Sequence, residues 1–186
     1  MNQTGRTIAK NASVLFISQV TTWGLSLIII ILISRYLGAK GVGQIHLANS
    51  IWAIMAMTIE FGMNTHLTKE IARYPERAGN LISVSLILRF FLFLASGVIV
   101  LGYLQIASYE RETVAVIIVT GMAILVMQLG SVYGSALKGL ERMEYISLAE
   151  ITARLFTTIV IIALLLLKYD IIAIVAVGIF SASIIF

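Results

Sequence analysis

The sequence predicts an all-α membrane protein, a bundle of six hydrophobic helices, and three observations carry that prediction. Of its 186 residues 60% are hydrophobic and only 12% charged. A water-soluble domain is about 45–50% apolar and about 25% charged, so these side chains cannot cover a water-facing surface. The apolar stretches are long and unbroken, and a bilayer-crossing helix needs about 20 such residues. Proline occurs once, at Pro75. Inside lipid every backbone polar group needs a partner within the protein, which leaves helices or a closed barrel. Barrel strands alternate apolar and polar residues over about 10 positions, and these runs do not alternate.

Six runs emerge in order, at about 12–36, 44–66, 81–107, 113–137, 146–167 and 171–186. Gly38, Gly41 and Gly43 separate the first two. A charged connector from Lys69 to Asn80, which holds Pro75, separates the second and third. Glu110, Arg111 and Glu112 mark the next turn, Lys138 to Tyr145 the following one, and Lys168, Tyr169 and Asp170 the last. The sixth run, at 1.5 Å per residue, reaches only about 24 Å against a hydrocarbon core of about 30 Å. The chain is therefore expected to be truncated, or one piece of a longer polypeptide.

Lysine and arginine placement sets the expected orientation. With the N-terminus inside, the inner side carries Arg6, Lys10, Lys69, Arg73, Arg77, Lys138 and Arg142, and the outer side Arg35, Lys40, Arg111 and Lys168. The bias places the N-terminus in the cytoplasm and the protein in the cytoplasmic membrane. The net charge of +4 then reflects inner loops, and no nucleic-acid partner is expected. The first run lacks a small-residue cleavage site and reads as a retained helix. Arg35, Tyr36 and Lys40 read as interfacial anchors. Lys69 to Arg77 alternates both charge signs, like a short amphipathic helix on the inner surface or a solvated connector.

Cysteine is absent, which removes disulfides, thiolate metal sites and thiol nucleophiles together. No H-E-x-x-H, G-x-S-x-G or Walker loop occurs. The glycines after the first run follow no strand, so a phosphate-binding loop lacks its context. His46 and His66, the histidines of the chain, fall at opposite ends of one predicted helix and cannot share a metal. No enzyme activity, cofactor or metal is expected.

Polar residues inside the runs are the functional candidates, because a charge at mid-bilayer costs roughly 2.5–3.5 kcal/mol on insertion scales. In the second run His46, Asn49, Ala53, Ala56, Glu60 and Asn64 follow helical steps and share a face. That stripe either lines a cavity, with Glu60 as a proton- or cation-linked site, or holds helices together through a nearby arginine. Arg89 lies about 13 Å into the third run and shares a face with Ser85, Phe93 and Ser96. It can grip a phosphate in bidentate geometry, snorkel to the interface, or pair with Glu60. Glu150 and Arg154, spaced i, i+4, are expected to form a structural ion pair, while Thr157 on the same face keeps a cavity role open for Arg154. Gln19, Thr22 and Ser26 in the first run, and Thr120, Gln128, Ser131 and Ser135 in the fourth, can line a sugar path or hydrogen-bond between helices, with packing the preferred reading. Gly130 and Gly134 form a G-x-x-x-G that permits close helix approach.

Three segments carry a family resemblance. Ser34-Arg35-Tyr36-Leu37-Gly38-Ala39-Lys40-Gly41-Val42-Gly43-Gln44 resembles the turn after the first helix of polysaccharide exporters and lipid-linked oligosaccharide flippases. Phe61-Gly62-Met63-Asn64, leading to Lys69-Glu70-Ile71-Ala72-Arg73, resembles the end of their second helix. Lys138-Gly139-Leu140-Glu141-Arg142-Met143-Glu144-Tyr145 resembles the link between helices four and five. The resemblance covers the whole chain in order and includes the related multidrug and toxin extrusion (MATE) transporters. It implies two six-helix bundles around a central cavity, of which this chain is the N-terminal one. The C-terminal bundle or a second copy would complete the cavity. Expected partners are membrane lipids and a lipid-linked glycan substrate, moved by alternating access. Arg89, Glu60, Asn49, Asn64, Gln19 and Arg154 are the expected cavity residues. Two rivals remain: a Na⁺- or H⁺-coupled multidrug exporter of the same superfamily, and a non-transporting scaffold in a glycan-assembly complex.

Overall fold

A computed structural model describes residues 3–183, with side chains described at 13, 16 and from 19 onward. The predicted residues 184–186 of the sixth run, and the side chains of Arg6 and Lys10, lie outside that description. Helices follow one another as α1 (Gln3–Glu60), α2 (Met63–Arg73), α3 (Ala78–Ala107), α4 (Arg111–Gly139), α5 (Met143–Leu166) and α6 (Ile171–Ser183), with a 3₁₀ turn at Pro75–Arg77. No strand occurs among the described residues. Four stretches are long and apolar enough to cross a bilayer: Gln19–Arg73, Pro75–Ala107, Arg111–Gly139 and Met143–Leu166. The described part of α6 is apolar but shorter.

The first two predicted runs are joined as α1, bent at Gly38. Gly41 and Gly43, expected to break the helix, lie inside it. Glycine costs a helix only about 1 kcal/mol relative to alanine, and lipid allows no unpaired backbone, so the ladder resumes at once. Gly38 has φ 65° and ψ −171°, a combination open essentially to glycine alone. Gly38→Ala is expected to cost about 1–3 kcal/mol and lower the melting temperature in detergent. Gly43→Ala, where an added Cβ meets nothing within 4 Å, should leave that temperature unchanged or raise it slightly.

The second predicted run stops early, at Glu60 rather than 66. Phe61 (φ 34°) and Gly62 (φ 76°) turn the chain, and α2 then carries much of the charged connector as a short amphipathic helix. Its apolar side, Leu67 and Ile71, packs on Val132 and Ala136 of α4. The two tight links beside α5 close in the same way. After α4, the Arg142 amide donates to the Leu137 carbonyl and the Glu141 amide to that of Lys138. After α5, Tyr169 and Lys168 donate to Leu164 and Leu165. This paired pattern satisfies the last carbonyls of a helix with one left-handed residue, here Glu141 and Lys168.

Side-chain contacts show which turns share an end. Lys40 pairs with Glu110 at 2.7 Å, and the Tyr36 hydroxyl donates to the Tyr169 carbonyl at 3.3 Å. The bend at Gly38, the α3–α4 link and the α5–α6 link therefore meet at one end. At the opposite end Thr68 donates to the Ser135 carbonyl. Helix α4 touches α1, α2, α3, α5 and α6 and is the hub of the bundle. The exterior is far more apolar than that of a soluble protein, around a largely apolar core that also holds polar groups. Phe61, Ile106, Leu166 and Met57 are more than three-quarters exposed, while Arg89, Gln128, Ser135 and Ser147 are buried. An oily exterior suits lipid as the outer solvent.

Candidate functional site

Among the described residues, the structure divides the predicted ones between a buried hydrogen-bonded network and an open hollow.

The network centres on Arg89, whose side chain is 0% exposed. Its Nη1 donates to the Gln128 carbonyl at 2.5 Å and to the Ser131 hydroxyl. Its Nη2 donates to Asn64 Oδ1 at 2.6 Å. That same oxygen accepts from Ser135 at 2.8 Å, and Asn64 Nδ2 donates to Glu60 Oε1 at 2.8 Å. Gln128 Nε2 completes the set by donating to the Ala56 carbonyl at 3.0 Å. One guanidinium thus fastens α3, α4 and the α1–α2 junction together. A planar donor fork with five N–H groups suits such a junction. Arg89, Glu60 and Asn64, expected on a cargo path, are held by one another and by α4. None of them lines either polar hollow. The break at Phe61–Gly62 also cuts the expected stripe, so Asn64 reaches Glu60 across a turn and not along one helix. The serines and glutamine of α4 act as interhelical hydrogen bonders here, as their preferred reading had it.

The hollow is about 580 Å³ and lies between both arms of α1 and helices α4, α5 and α6. Gln19, Thr22, Asn49, Glu150, Arg154 and Ser181 supply its polar lining. Arg154 and Glu150 are half-buried. They do not form the expected ion pair; among the described residues the ion pair is Lys40–Glu110. An i, i+4 pair gains only about 0.2–0.5 kcal/mol, too little to hold two long side chains together beside an open space. Thr22 and Ser26, expected to hydrogen-bond between helices, bond to carbonyls of their own turn, Gln19 and Thr22. Gln19, Asn49 and Arg154 are thereby brought together from residues 135 positions apart (154 − 19). A guanidinium, a carboxylate and two amides can hydrogen-bond a hydrated, oxygen-rich cargo. No group of three or more potential metal ligands occurs among the described residues.

Two features escaped the sequence. Trp52 reaches across to α4, where its Nε1 donates to the Ile117 carbonyl at 2.8 Å and its ring stacks on Phe93 at 5.4 Å between centroids. The signal lay in Gly121, four residues past Ile117, which bares that carbonyl, but no pattern links it to Trp52. The other is a second polar hollow at the bend end, lined by Tyr36, Lys40, Gln44, Glu112, Tyr169 and Asp170. Near it Tyr109, hydrogen-bonded to Tyr103 at 2.8 Å, is held above the ordinary phenol pKa by that bond.

Long apolar helices with an oily exterior define a helical membrane protein. Residues 8–186 match the family model of polysaccharide biosynthesis proteins, and the chain belongs to that family. No curated protein and no solved structure matches it.

Proposed function

We propose that the chain moves a lipid-linked oligosaccharide or polysaccharide precursor across the cytoplasmic membrane by alternating access. It acts as the N-terminal six-helix half of a MATE-like flippase, its N-terminus in the cytoplasm. The bent α1 then counts as two spans and α6 as the sixth. The opposing wall of the path comes from a C-terminal bundle or a second copy. The hollow holding Gln19, Asn49, Glu150 and Arg154 is the observation that carries this reading. Polar groups without partners, Glu150 and Arg154 half-buried and Gln19 and Asn49 exposed, are costly in lipid, and a passing hydrophilic head group gives them a use. Membership in a polysaccharide biosynthesis family supports a glycan as cargo. The chemistry required is binding and release, with no covalent step. Glu150 in the hollow also fits the alternative of a cation-coupled exporter, for which an acidic cavity residue is required.

The test uses the complete protein in sealed vesicles and follows a fluorescent lipid-linked oligosaccharide from one leaflet to the other. Arg154→Gln is expected to slow translocation at least about tenfold, the loss of one charge-assisted contact of about 1.5–3 kcal/mol, while leaving the melting temperature unchanged. Full-speed movement by that variant would overturn the assignment. Transport of a lipophilic cation, but no lipid-linked sugar, would establish the exporter instead.

A further inference from the structure

The hollow at the bend end is a separate, open groove of about 430 Å³, its polar lining exposed except for Gln44. It is built from three places in the chain. The bend supplies Tyr36, Lys40 and Gln44, the start of α4 supplies Glu112, and the α5–α6 link supplies Tyr169 and Asp170. The structural duties of these residues are partly discharged. Lys40 is taken by Glu110. Gln44 Nε2 donates to Glu112 Oε2 at 3.2 Å and to Thr113 at 3.0 Å. Tyr36 fixes the α5–α6 link through the Tyr169 carbonyl. Asp170 precedes α6, where an aspartate commonly caps the helix. Its backbone carbonyl accepts from the amides of Ala173 and Ile174, but its carboxylate makes no hydrogen bond among the described residues. Left over are one uncommitted carboxylate, the second oxygen of another, and two half-exposed tyrosine rings.

From this set we infer that the bend-end hollow is a binding subsite for a neutral, hydroxyl-rich glycan. Carboxylates accept strongly from sugar hydroxyls. Tyrosine offers an apolar ring face with a polar tip, which matches a pyranose, apolar on its C–H face and polar at its rim. The groove is wide enough for a sugar ring or two. The lining cation, Lys40, is already paired with Glu110, and the lining groups left over are acceptors, which suit sugar hydroxyls and not phosphates, sulfates or uronates; Arg35, Arg111 and Lys168 adjoin the lining in sequence without being part of it. A site selecting a neutral sugar here is distinct from the hollow that carries Glu150 and Arg154. The choice of a glycan rests on the transport reading above; the choice of a neutral one rests on this groove alone.

The test places the complete protein in nanodiscs on an array of neutral and acidic oligosaccharides. Retention on neutral glycans is expected, reduced at least about tenfold by Asp170→Asn and by Tyr169→Ala, and unaffected by Arg154→Gln. Tyr36→Phe, which keeps the ring and loses one hydrogen bond, controls for folding and should retain most of the binding. Preference for acidic glycans, retention indifferent to both Asp170→Asn and Tyr169→Ala, or no retention on neutral glycans would each overturn the subsite. Because soluble sugars are used, the array can fail while vesicle translocation still depends on Arg154, and then only the subsite falls. Array binding without translocation would instead remove the transport reading and leave a glycan-binding membrane protein.

Discussion

Arg89→Ala is expected to destabilise the bundle by about 3–5 kcal/mol, the range for breaking a buried charged network by removing one member. The substitution takes away the donor to the Gln128 carbonyl, Ser131 and Asn64 together. It leaves the Gln128 carbonyl, Ser131 and Asn64 Oδ1 each short of a donor, and an unsatisfied buried polar group costs about 1–3 kcal/mol. It also unties the α1–α2 junction, whose turn at Phe61 and Gly62 already holds a non-glycine residue at positive φ. Arg89→Lys should recover only part of the loss, since a single ammonium cannot span the acceptors on α4 and α2 at once. Unfolding in bicelles, followed by helix signal or by tryptophan fluorescence, measures this directly. A shift of the melting temperature of about 10 °C is the size expected for a chain of this length. If Arg89→Ala instead melts with the wild type while translocation stops, the network is not what holds the junction, and Arg89 belongs to the cargo path after all. Arg154→Gln is the contrasting case, losing translocation without losing stability.

The difference between those two arginines marks how far the sequence can be read. Helical content and the positions of α3, α4 and α5 follow from composition and run length, because lipid demands continuous apolar helices. Helical spacing put Arg89, Phe93 and Ser96 of α3 on one face, and that face is buried. It could not say whether inward meant a network or a hollow. That depends on what faces Arg89 from α4 and α2, and on Gln128 and Asn64 arriving from distant parts of the chain. The break at Phe61–Gly62 was hidden because Asn64 continues the stripe of Asn49 and Glu60 at helical spacing, and only backbone dihedrals distinguish a turn there. Gly41 and Gly43 misled in the opposite direction, since glycine is tolerated in a membrane helix whose alternative is unpaired backbone. Glu150 and Arg154 have ideal spacing for a pair. Spacing is a local property, and the adjoining hollow is not.

Trp52→Ala is expected to cost about 3–5 kcal/mol, the usual range for deleting a buried large aromatic side chain. Trp52 is only 4% exposed, and the α1–α4 contact is built on it. Its ring lies against α4 so closely that a Cβ at Gly121 would stand 2.2 Å from Trp52 Cζ2. The indole N–H takes the spare lone pair of a carbonyl already engaged in the helix ladder, and Phe93 of α3 closes the far side. The close approach makes a double-mutant cycle decisive. Gly121→Ala alone must push the indole aside and should cost about 1–3 kcal/mol by overpacking. In the Trp52→Ala background the same change meets vacated space, and there its cost should vanish or turn into a gain, because alanine favours helix over glycine by about 1 kcal/mol. The coupling energy from the four melting curves would then be at least about 1 kcal/mol, as for residues in direct contact. Additive costs would mean that the two positions do not touch, and that α1 and α4 are held by something other than this interlock.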